Sequence, residues 1–286
     1  MLREIRSLGF EYAELSHGIR ITLLPGILEA VDAGEIKIST LHNFCPLPMG
    51  VSRAAPNLFL FSSPDERERE RAFRHSIRTI ETAARLKAKV VVLHMGCIEM
   101  KDYTEKLLEL VTEGEREGSK FEKISKEAFV KREQKKEKFV EQSHLMLRRL
   151  VEVAEPYGVK LGVENREALE EIPIDSDFPQ LFGEFPDETV GYWHDTGHAQ
   201  IKENLGFIDH AFQLNSLAHR LLGFHIHDVS FPGRDHRSPG SGMIDFAALK
   251  PMVKPEHIKV FEFSPSLSPN EARHGIEHIK NLWGNE

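Results

Sequence analysis

Short apolar runs alternate with amphipathic helical segments along most of this chain. Seven of the runs have the length and composition of strands: residues 12–16, 36–43, 89–96, 159–166, 189–195, 222–228 and 258–263. The continuous apolar run at 89–96 is typical of a parallel strand buried on both faces. Because helical segments separate the strands and no Pro/Gly/Ser-rich linker interrupts them, the pattern predicts βαβ units in one domain spanning residues 1–286.

Local signals mark where several of the helices begin and end. Leu2, Ile5 and Leu8 recur at helical spacing before Gly9, which predicts a short opening helix. Ser63, followed by Pro64, is predicted to cap a helix whose first position is the proline. The sequence of residues 268–271, Ser-Pro-Asn-Glu, predicts the cap of a final helix that ends near residue 283.

The predicted architecture is an α/β barrel with one strand fewer than usual. A (β/α)8 TIM barrel has eight strands and begins with a strand, whereas this chain is predicted to have seven and to begin with a helix. We therefore expect a TIM barrel from which the first β-strand is missing. Residues 100–145 are rich in charges of both signs, which favours a solvated helical excursion over a nucleic-acid patch.

Composition narrows the classes of function. The 286 residues carry a formal charge of −8, which argues against nucleic acid as a general partner because phosphate contacts need a basic face. No run of about 18 apolar residues would span a membrane, and the first residues lack the apolar core of a signal peptide. Only Cys45 and Cys97 are present, so a disulfide framework is not expected. These features predict a cytoplasmic protein.

Side chains that could bind a metal follow six successive predicted strands. In barrels of this kind, the chemistry lies at the carboxyl ends of the strands. A single histidine is more often structural than functional, but a recurrence at six strand ends predicts a metal site. The residues are His42, His94, Glu164, Asp195 with His198, His225 with His227, and Glu262.

The residue types also suggest a reaction. Glu164 and Glu262 come from separate strands, and two such carboxylates can act as paired acid and base on a substrate beside a cation. A site of three carboxylates and one histidine suits Mn²⁺, Mg²⁺ or Co²⁺, and further histidines would shift the preference toward Zn²⁺. His225 and His227 are two residues apart on a strand and so point to the same side. The loop at 234–242 mixes cations with glycines, which fits either a substrate-binding loop or a plain flexible one.

The order and spacing of these motifs resemble the sugar phosphate isomerase/epimerase superfamily. This xylose isomerase-like TIM barrel group also contains endonuclease IV, ketose 3-epimerases and inosose dehydratase-like proteins. The resemblance covers residues 2–283. It rests on Val-Glu-Asn at 163–165, Asp-Thr-Gly-His at 195–198, His-Ile-His-Asp at 225–228, His236 with Gly-Ser-Gly at 240–242, and Glu262.

The resemblance implies roles for individual residues. Glu164, Asp195, His225 and Glu262 look like the four ligands of a single divalent metal in the epimerase members, where the two glutamates also pass the substrate proton. His198 resembles their substrate-contacting histidine. The expected substrate-binding residues are His42, His94, His198, His227, Arg234 and His236.

A second hypothesis follows from the endonuclease members, which use a trinuclear zinc set. His42, His94, His198 and His236 fall where the extra histidine ligands of those members would be. However, Arg234 stands where they carry an Asp, because Asp235 is displaced by one residue, and Gly-Ser-Gly replaces their Gly-Glu-Gly. A cation at that position would oppose a third metal.

Three functions are therefore carried forward. The first is a divalent-metal-dependent isomerase or epimerase acting on a small sugar or a sugar derivative, in the cytoplasm and without a membrane partner. The second is an endonuclease IV-like zinc phosphodiesterase acting on abasic DNA. The third is a barrel without catalytic activity. Homo-oligomers are frequent among the proteins that the chain resembles, so a homo-oligomer is an expected partner under each of the three functions.

Overall fold

A seven-stranded parallel sheet forms the framework of the protein. The computed structural model describes residues 2–51, 53–55 and 57–284. Neighbouring strands within the sheet follow the order of the chain, and β7 and β8, described below, form a separate ribbon. The strands are β1 (Tyr12–Leu15), β2 (Lys37–His42), β3 (Val90–Leu93), β4 (Lys160–Glu164), β5 (Val190–Asp195), β6 (Leu221–Ile226) and β9 (Ile258–Phe261). All seven predicted strands are confirmed.

Helices separate most of these strands, as the alternating pattern predicts. Their bounds are α1 (Leu2–Ser7), α2 (Leu24–Asp32), α3 (Glu66–Arg85), α4 (Thr104–Thr112), α5 (Ser119–Ala154), α6 (Phe178–Glu184), α7 (Thr196–Asn204), α8 (His210–Leu217), α9 (Phe246–Leu249) and α10 (Pro269–Trp283). In the described part of the chain, no helix is both long and apolar enough to cross a membrane.

The described chain forms two compact units, each assembled from separated stretches of sequence. The first unit comprises Met1–Cys97, Lys138–Glu164 and Phe178–Gly191. The second comprises Ile98–Glu137, Asn165–Asp177 and Tyr192–Glu286. In the first unit, every residue of β3 is buried, which agrees with the continuous apolar run that predicts it.

The helix caps agree with the sequence patterns in one case and differ in another. Ser268 caps α10 and forms a reciprocal capping box with Glu271, as predicted. The cap of α3 is Asp65 rather than the predicted Ser63, because the Asp65 side chain accepts the backbone N–H of Arg67. Ser63 Oγ instead accepts the backbone N–H of Asp65 at 3.1 Å, so it shapes the residues before the helix.

The charged excursion folds as α4 and α5, but one face of it is buried. Within α5, Ala128 and Arg132 have no exposed surface, and Phe139 is 2% exposed. The prediction of a solvated helix is therefore correct only for the opposite face. The buried face cannot be recognised from the sequence, because an arginine that is buried with partners looks the same there as an exposed arginine.

A two-stranded antiparallel ribbon replaces part of the loop that is predicted after β6. It consists of β7 (Asp228–Ser230) and β8 (Arg234–Arg237), with Ser230 paired to Arg234. The sequence Arg-Asp-His-Arg of β8 has no alternation of apolar and polar residues, so periodicity does not reveal it.

Candidate metal centre

In the first unit, three strand ends bring together two histidines and one glutamate. His42 ends β2, His94 follows β3, and Glu164 ends β4. The Nε2 atoms of His94 and His42 lie 2.5 Å and 3.7 Å from Glu164 Oε2. All three side chains are buried, and their ligand atoms lie within 4.8 Å of one another. His42 Nδ1 is 2.9 Å from the Asn43 carbonyl oxygen, to which it donates, so Nε2 of the neutral ring is free of a proton and can bind a cation.

His17 extends this group and is absent from the sequence-based site. Its ring packs edge-on against His42, with centroids 5.0 Å apart, and His42 packs against His94 at 4.8 Å. His17 follows the end of β1 by two residues. The rule that selects the other strand-end histidines would therefore have found it if it had been applied to the first strand.

In the second unit, Asp195, His225 and Glu262 meet at the ends of β5, β6 and β9. His225 Nδ1 lies 3.2 Å from Glu262 Oε2 and 3.9 Å from Asp195 Oδ2. The Asp195 and His225 side chains are completely buried, and the Glu262 side chain is 31% exposed. Two carboxylates this close to one imidazole repel each other, and a bound cation would relieve that repulsion.

Asp195 is held in place through its side chain and its backbone. Its Oδ1 caps α7 by accepting the backbone N–H of His198 at 2.8 Å, and its Oδ2 lies 3.0 Å from His227 Nε2. Asn165 exchanges two hydrogen bonds with the Asp195 backbone, at 2.6 Å and 3.0 Å. The carboxylate orientation is therefore fixed before any ligand binds.

Both ring nitrogens of His227 have protein partners. Its Nδ1 accepts the backbone N–H of His236 at 3.0 Å, so the proton of the neutral ring lies on Nε2, which donates to Asp195. His225 and His227 thus point to the same side, as their spacing predicts, and both approach Asp195 Oδ2. These contacts favour a positioning role for His227, because neither ring nitrogen is left for a substrate.

A further group in the second unit contains His198. Ligand atoms of Glu167, His198 and Asp235 all lie within 4.8 Å of one another. His198 Nδ1 is 3.0 Å from the Asn165 carbonyl oxygen and 3.3 Å from Arg166 Nη1. Burial raises the pKa of the Glu167 carboxyl, because the charged form loses hydration there. Glu167 is missed from sequence because it lies three residues beyond the end of β4.

The loop residues that follow β6 differ in their surroundings. His236 stacks on His227 at 4.4 Å, with its Nδ1 3.0 Å from Asp235 Oδ1 and its Nε2 3.7 Å from Glu262 Oε1. Burial lowers the pKa of His236, but the two carboxylates outweigh burial and raise it to about 11, so the ring is cationic at neutral pH. Arg234 is exposed at the start of β8.

The glycines of the 240–242 segment serve neither of the two roles considered from sequence. The backbone N–H groups of Gly240 and Gly242 each donate to Asp228 Oδ2 at 2.9 Å, and those of Val229 and Ile244 donate to Oδ1. Asp228 is fully buried. A Cβ on Gly242 would lie 2.3 Å from the Val229 carbonyl oxygen, so glycine is required for this approach. The segment is tied to a buried carboxylate and is neither a free anion site nor a loose loop.

Comparison with known proteins identifies the fold family. The family model described as a xylose isomerase-like TIM barrel matches residues 2–282. No curated protein matches the sequence.

Solved structures share this fold at low sequence identity. A D-tagatose 3-epimerase-like protein is 19% identical with a TM-score of 0.69, and the match covers 98% of this chain and 91% of that one. The 3-keto-D-glucoside 4-epimerase YcjR from E. coli is 16% identical with a TM-score of 0.67, over 98% and 92% of the two chains. The IolI protein with a binding zinc atom is 19% identical with a TM-score of 0.64, again over 98% and 92%. The predicted fold is confirmed: this chain belongs to the xylose isomerase-like TIM barrel family.

Proposed function

We propose that this protein is a divalent-metal-dependent isomerase or epimerase acting on a small sugar or a sugar derivative. The observation that carries the proposal is the meeting of the buried Asp195 and His225 with the partly exposed Glu262 at three strand ends. Burying carboxylates is costly unless they are paired or bind a cation. Because Asp195 is already oriented by His227 and by the start of α7, the group is prepared for a ligand rather than serving only as a structural contact.

As the resemblance of the sequence motifs implies, the proposed ligands of one metal ion are Glu164, Asp195, His225 and Glu262. Three carboxylates and one imidazole suit Mn²⁺, Co²⁺ or Mg²⁺, and Zn²⁺ also accepts this set. When bound, the ion would polarise two adjacent oxygens of the substrate and so acidify the carbon-bound hydrogen beside them. One structural relative supports a divalent metal at this site, since the IolI structure contains a zinc atom.

The chain's own carboxylates would move the proton. One of Glu164 and Glu262 removes the hydrogen from the substrate carbon, and the other returns a proton to the same carbon or to its neighbour. Return to the same carbon from the opposite face inverts it, and return to the neighbour isomerises the sugar. We assign substrate contacts to His42, His94, His198, Arg234 and His236. The expected substrate contact of His227 is replaced by a positioning role, because both of its ring nitrogens have protein partners.

The comparisons support a carbohydrate as the substrate class. Two of the relatives described above bear the names of epimerases that act on sugars or on a sugar glycoside. Their identities of 19% and 16% fix only the fold, so the choice of sugar depends on this chain's own loops.

Exchange with deuterated water tests the proposed reaction directly. The metal-loaded protein is incubated with a panel of ketoses in D₂O, and we expect deuterium at the carbon that is inverted or isomerised. Glu164→Gln and Glu262→Gln should each abolish the exchange because a carboxamide can neither carry the proton nor hold the metal as a carboxylate does. Glu109→Gln, on an exposed position of α4, is the matched control and should leave it unchanged. Product formation without deuterium uptake would contradict proton transfer.

A zinc phosphodiesterase acting on abasic DNA is a second candidate because each unit holds its own separate group of ligands. His42, His94 and Glu164 form one group, and Glu167, His198 and Asp235 form another. The displaced Asp235 therefore still joins a metal-competent group, which weakens the objection drawn from Arg234. Two or three zinc ions per chain, together with cleavage of an abasic oligonucleotide, would favour this function over the isomerase.

A further inference from the structure

A cationic cavity lies on α3, and none of the proposed metal ligands is among its lining residues. Arg71, Arg74, His75 and Arg78 are spaced three and four residues apart and therefore share one face of the helix. Together with Pro48, Met49, Val51 and Phe59, they line a cavity of about 310 Å³. We call this cavity the α3 arginine pocket. Its size falls at the small end of the range for ligand sites.

The positive charge of the α3 arginine pocket is only partly offset within the protein, because Glu70 attracts Arg74 across one helical turn. Arg71, Arg74 and Arg78 are exposed, and none of the three makes an ion pair within the described residues 2–51, 53–55 and 57–284. The neighbouring acid Glu70 is engaged by both terminal nitrogens of Arg149. Like charges at this spacing on a helix repel one another. An anion bound among these arginines would relieve the repulsion.

One wall of the α3 arginine pocket is flat and apolar. His75 stacks on Phe59 with ring centroids 5.3 Å apart and an interplanar angle of 11°. Met49, which is 74% exposed, adds an apolar side chain to this wall. Burial lowers the pKa of His75, and the nearby Arg78 and Arg74 lower it further, so at neutral pH the ring is a neutral donor of one hydrogen bond.

We propose that the α3 arginine pocket binds a small phosphate-bearing molecule. Its phosphate would contact Arg71, Arg74 and Arg78, and its remaining part would lie against the Phe59 and His75 rings. A carboxylate satisfies one guanidinium, whereas a phosphate dianion offers three oxygens and two charges to three guanidinium groups. The apolar wall adds contact area that free phosphate cannot use, so organic phosphates bind more tightly than inorganic phosphate.

Calorimetric titration tests the α3 arginine pocket with three probes: inorganic phosphate, phenyl phosphate and phenol. We expect saturable binding of phenyl phosphate with a dissociation constant of about 1 mM or lower, weaker binding of phosphate and none of phenol. The double variant Arg71→Gln/Arg78→Gln should weaken phenyl phosphate at least tenfold. The double variant Arg85→Gln/Lys87→Gln removes two exposed cations at the end of the same helix that do not line the cavity, and it is the matched control for the loss of two charges.

Either of two results would overturn the proposal. The first is the absence of saturable binding by phenyl phosphate. The second is an equal loss of affinity in Arg71→Gln/Arg78→Gln and in Arg85→Gln/Lys87→Gln, because diffuse surface charge would then explain the binding. The substituted side chains are exposed, so the variants should keep the wild-type melting temperature, and that measurement accompanies each titration.

Discussion

Arg132 of α5 binds the segment of residues 165–177, which follows β4. Its guanidinium is fully buried and donates through Nη1 to the carbonyl oxygens of Leu169 and Glu171, at 2.9 Å and 3.1 Å. Through Nη2 it pairs with Asp177. One side chain of α5 therefore fastens the 165–177 segment, which also carries the asparagine that anchors Asp195 and the glutamate beside His198.

Replacing Arg132 by Met should be strongly destabilising. Removing one partner of a buried ion pair costs about 3–5 kcal/mol, because the other charge stays buried without full compensation. Lys136 Nζ, 3.3 Å from Asp177 Oδ1, retains part of the pairing, while two buried carbonyls lose their donor. A loss of 3–5 kcal/mol corresponds to a fall in Tm of about 6–20 °C for a chain of roughly this size.

Urea unfolding followed by circular dichroism measures this change in the free energy of unfolding. Arg132→Lys is the matched control, because it keeps the charge but cannot reach three acceptors from one planar group, so its loss should be intermediate. A loss below about 1 kcal/mol in the free energy of unfolding of Arg132→Met would contradict an essential role of Arg132 as the buried partner of these groups. It would mean that water or neighbouring groups satisfy Asp177 and the two carbonyls.

Three further predictions concern thiol reactivity, a close contact and acid stability. Burial raises the pKa of Cys45 to about 12, so in Ellman titration of the native protein at pH 8 only Cys97 should react, and both thiols should react after unfolding; two reactive thiols in the native state would contradict this. A Cβ at Gly197 would lie 2.0 Å from His227 Cε1, so Gly197→Ala should cost about 1–3 kcal/mol in the free energy of unfolding and weaken metal binding, and an unchanged unfolding curve would be inconsistent with that contact. Burial raises the pKa of Glu184, but hydrogen bonds and nearby cations outweigh it and lower the pKa overall. The carboxylate therefore stabilises the fold above its unfolded pKa of about 4.3, and this contribution disappears as pH falls through the lower folded pKa; the stability difference from Glu184→Gln should shrink over that range, and a constant difference would argue against it.

Sequence patterning predicts the sheet because burial on both faces leaves little choice of residue type. The run that forms β3 is recognisable for that reason, and so is the capping box of α10, whose two residues interact within one turn. The start of α3 is misplaced by two residues because Ser63 and Asp65 are both good caps. Only the backbone geometry selects between them.

The site is less predictable than the sheet because its second layer depends on contacts that are distant in sequence. The strand-end rule finds Asp195, His225 and Glu262. It cannot tell which ring nitrogen of His227 carries the proton, because the backbone N–H of His236 determines this. It also cannot predict that Asp228 accepts hydrogen bonds from the glycine segment. These partners are backbone groups, which carry no residue-specific signal.

The number of metal ions bound per chain tests whether this protein holds one divalent ion through the proposed carboxylate and histidine ligands. The purified protein is stripped, reconstituted separately with Mn²⁺, Co²⁺, Mg²⁺ and Zn²⁺, and analysed by elemental mass spectrometry together with Glu164→Gln and Glu262→Gln. We predict one tightly held divalent ion per wild-type chain and its loss in both variants, with Glu109→Gln unchanged. A wild-type protein that retains none of these ions, or variants that hold the ion as tightly as wild type, would contradict it.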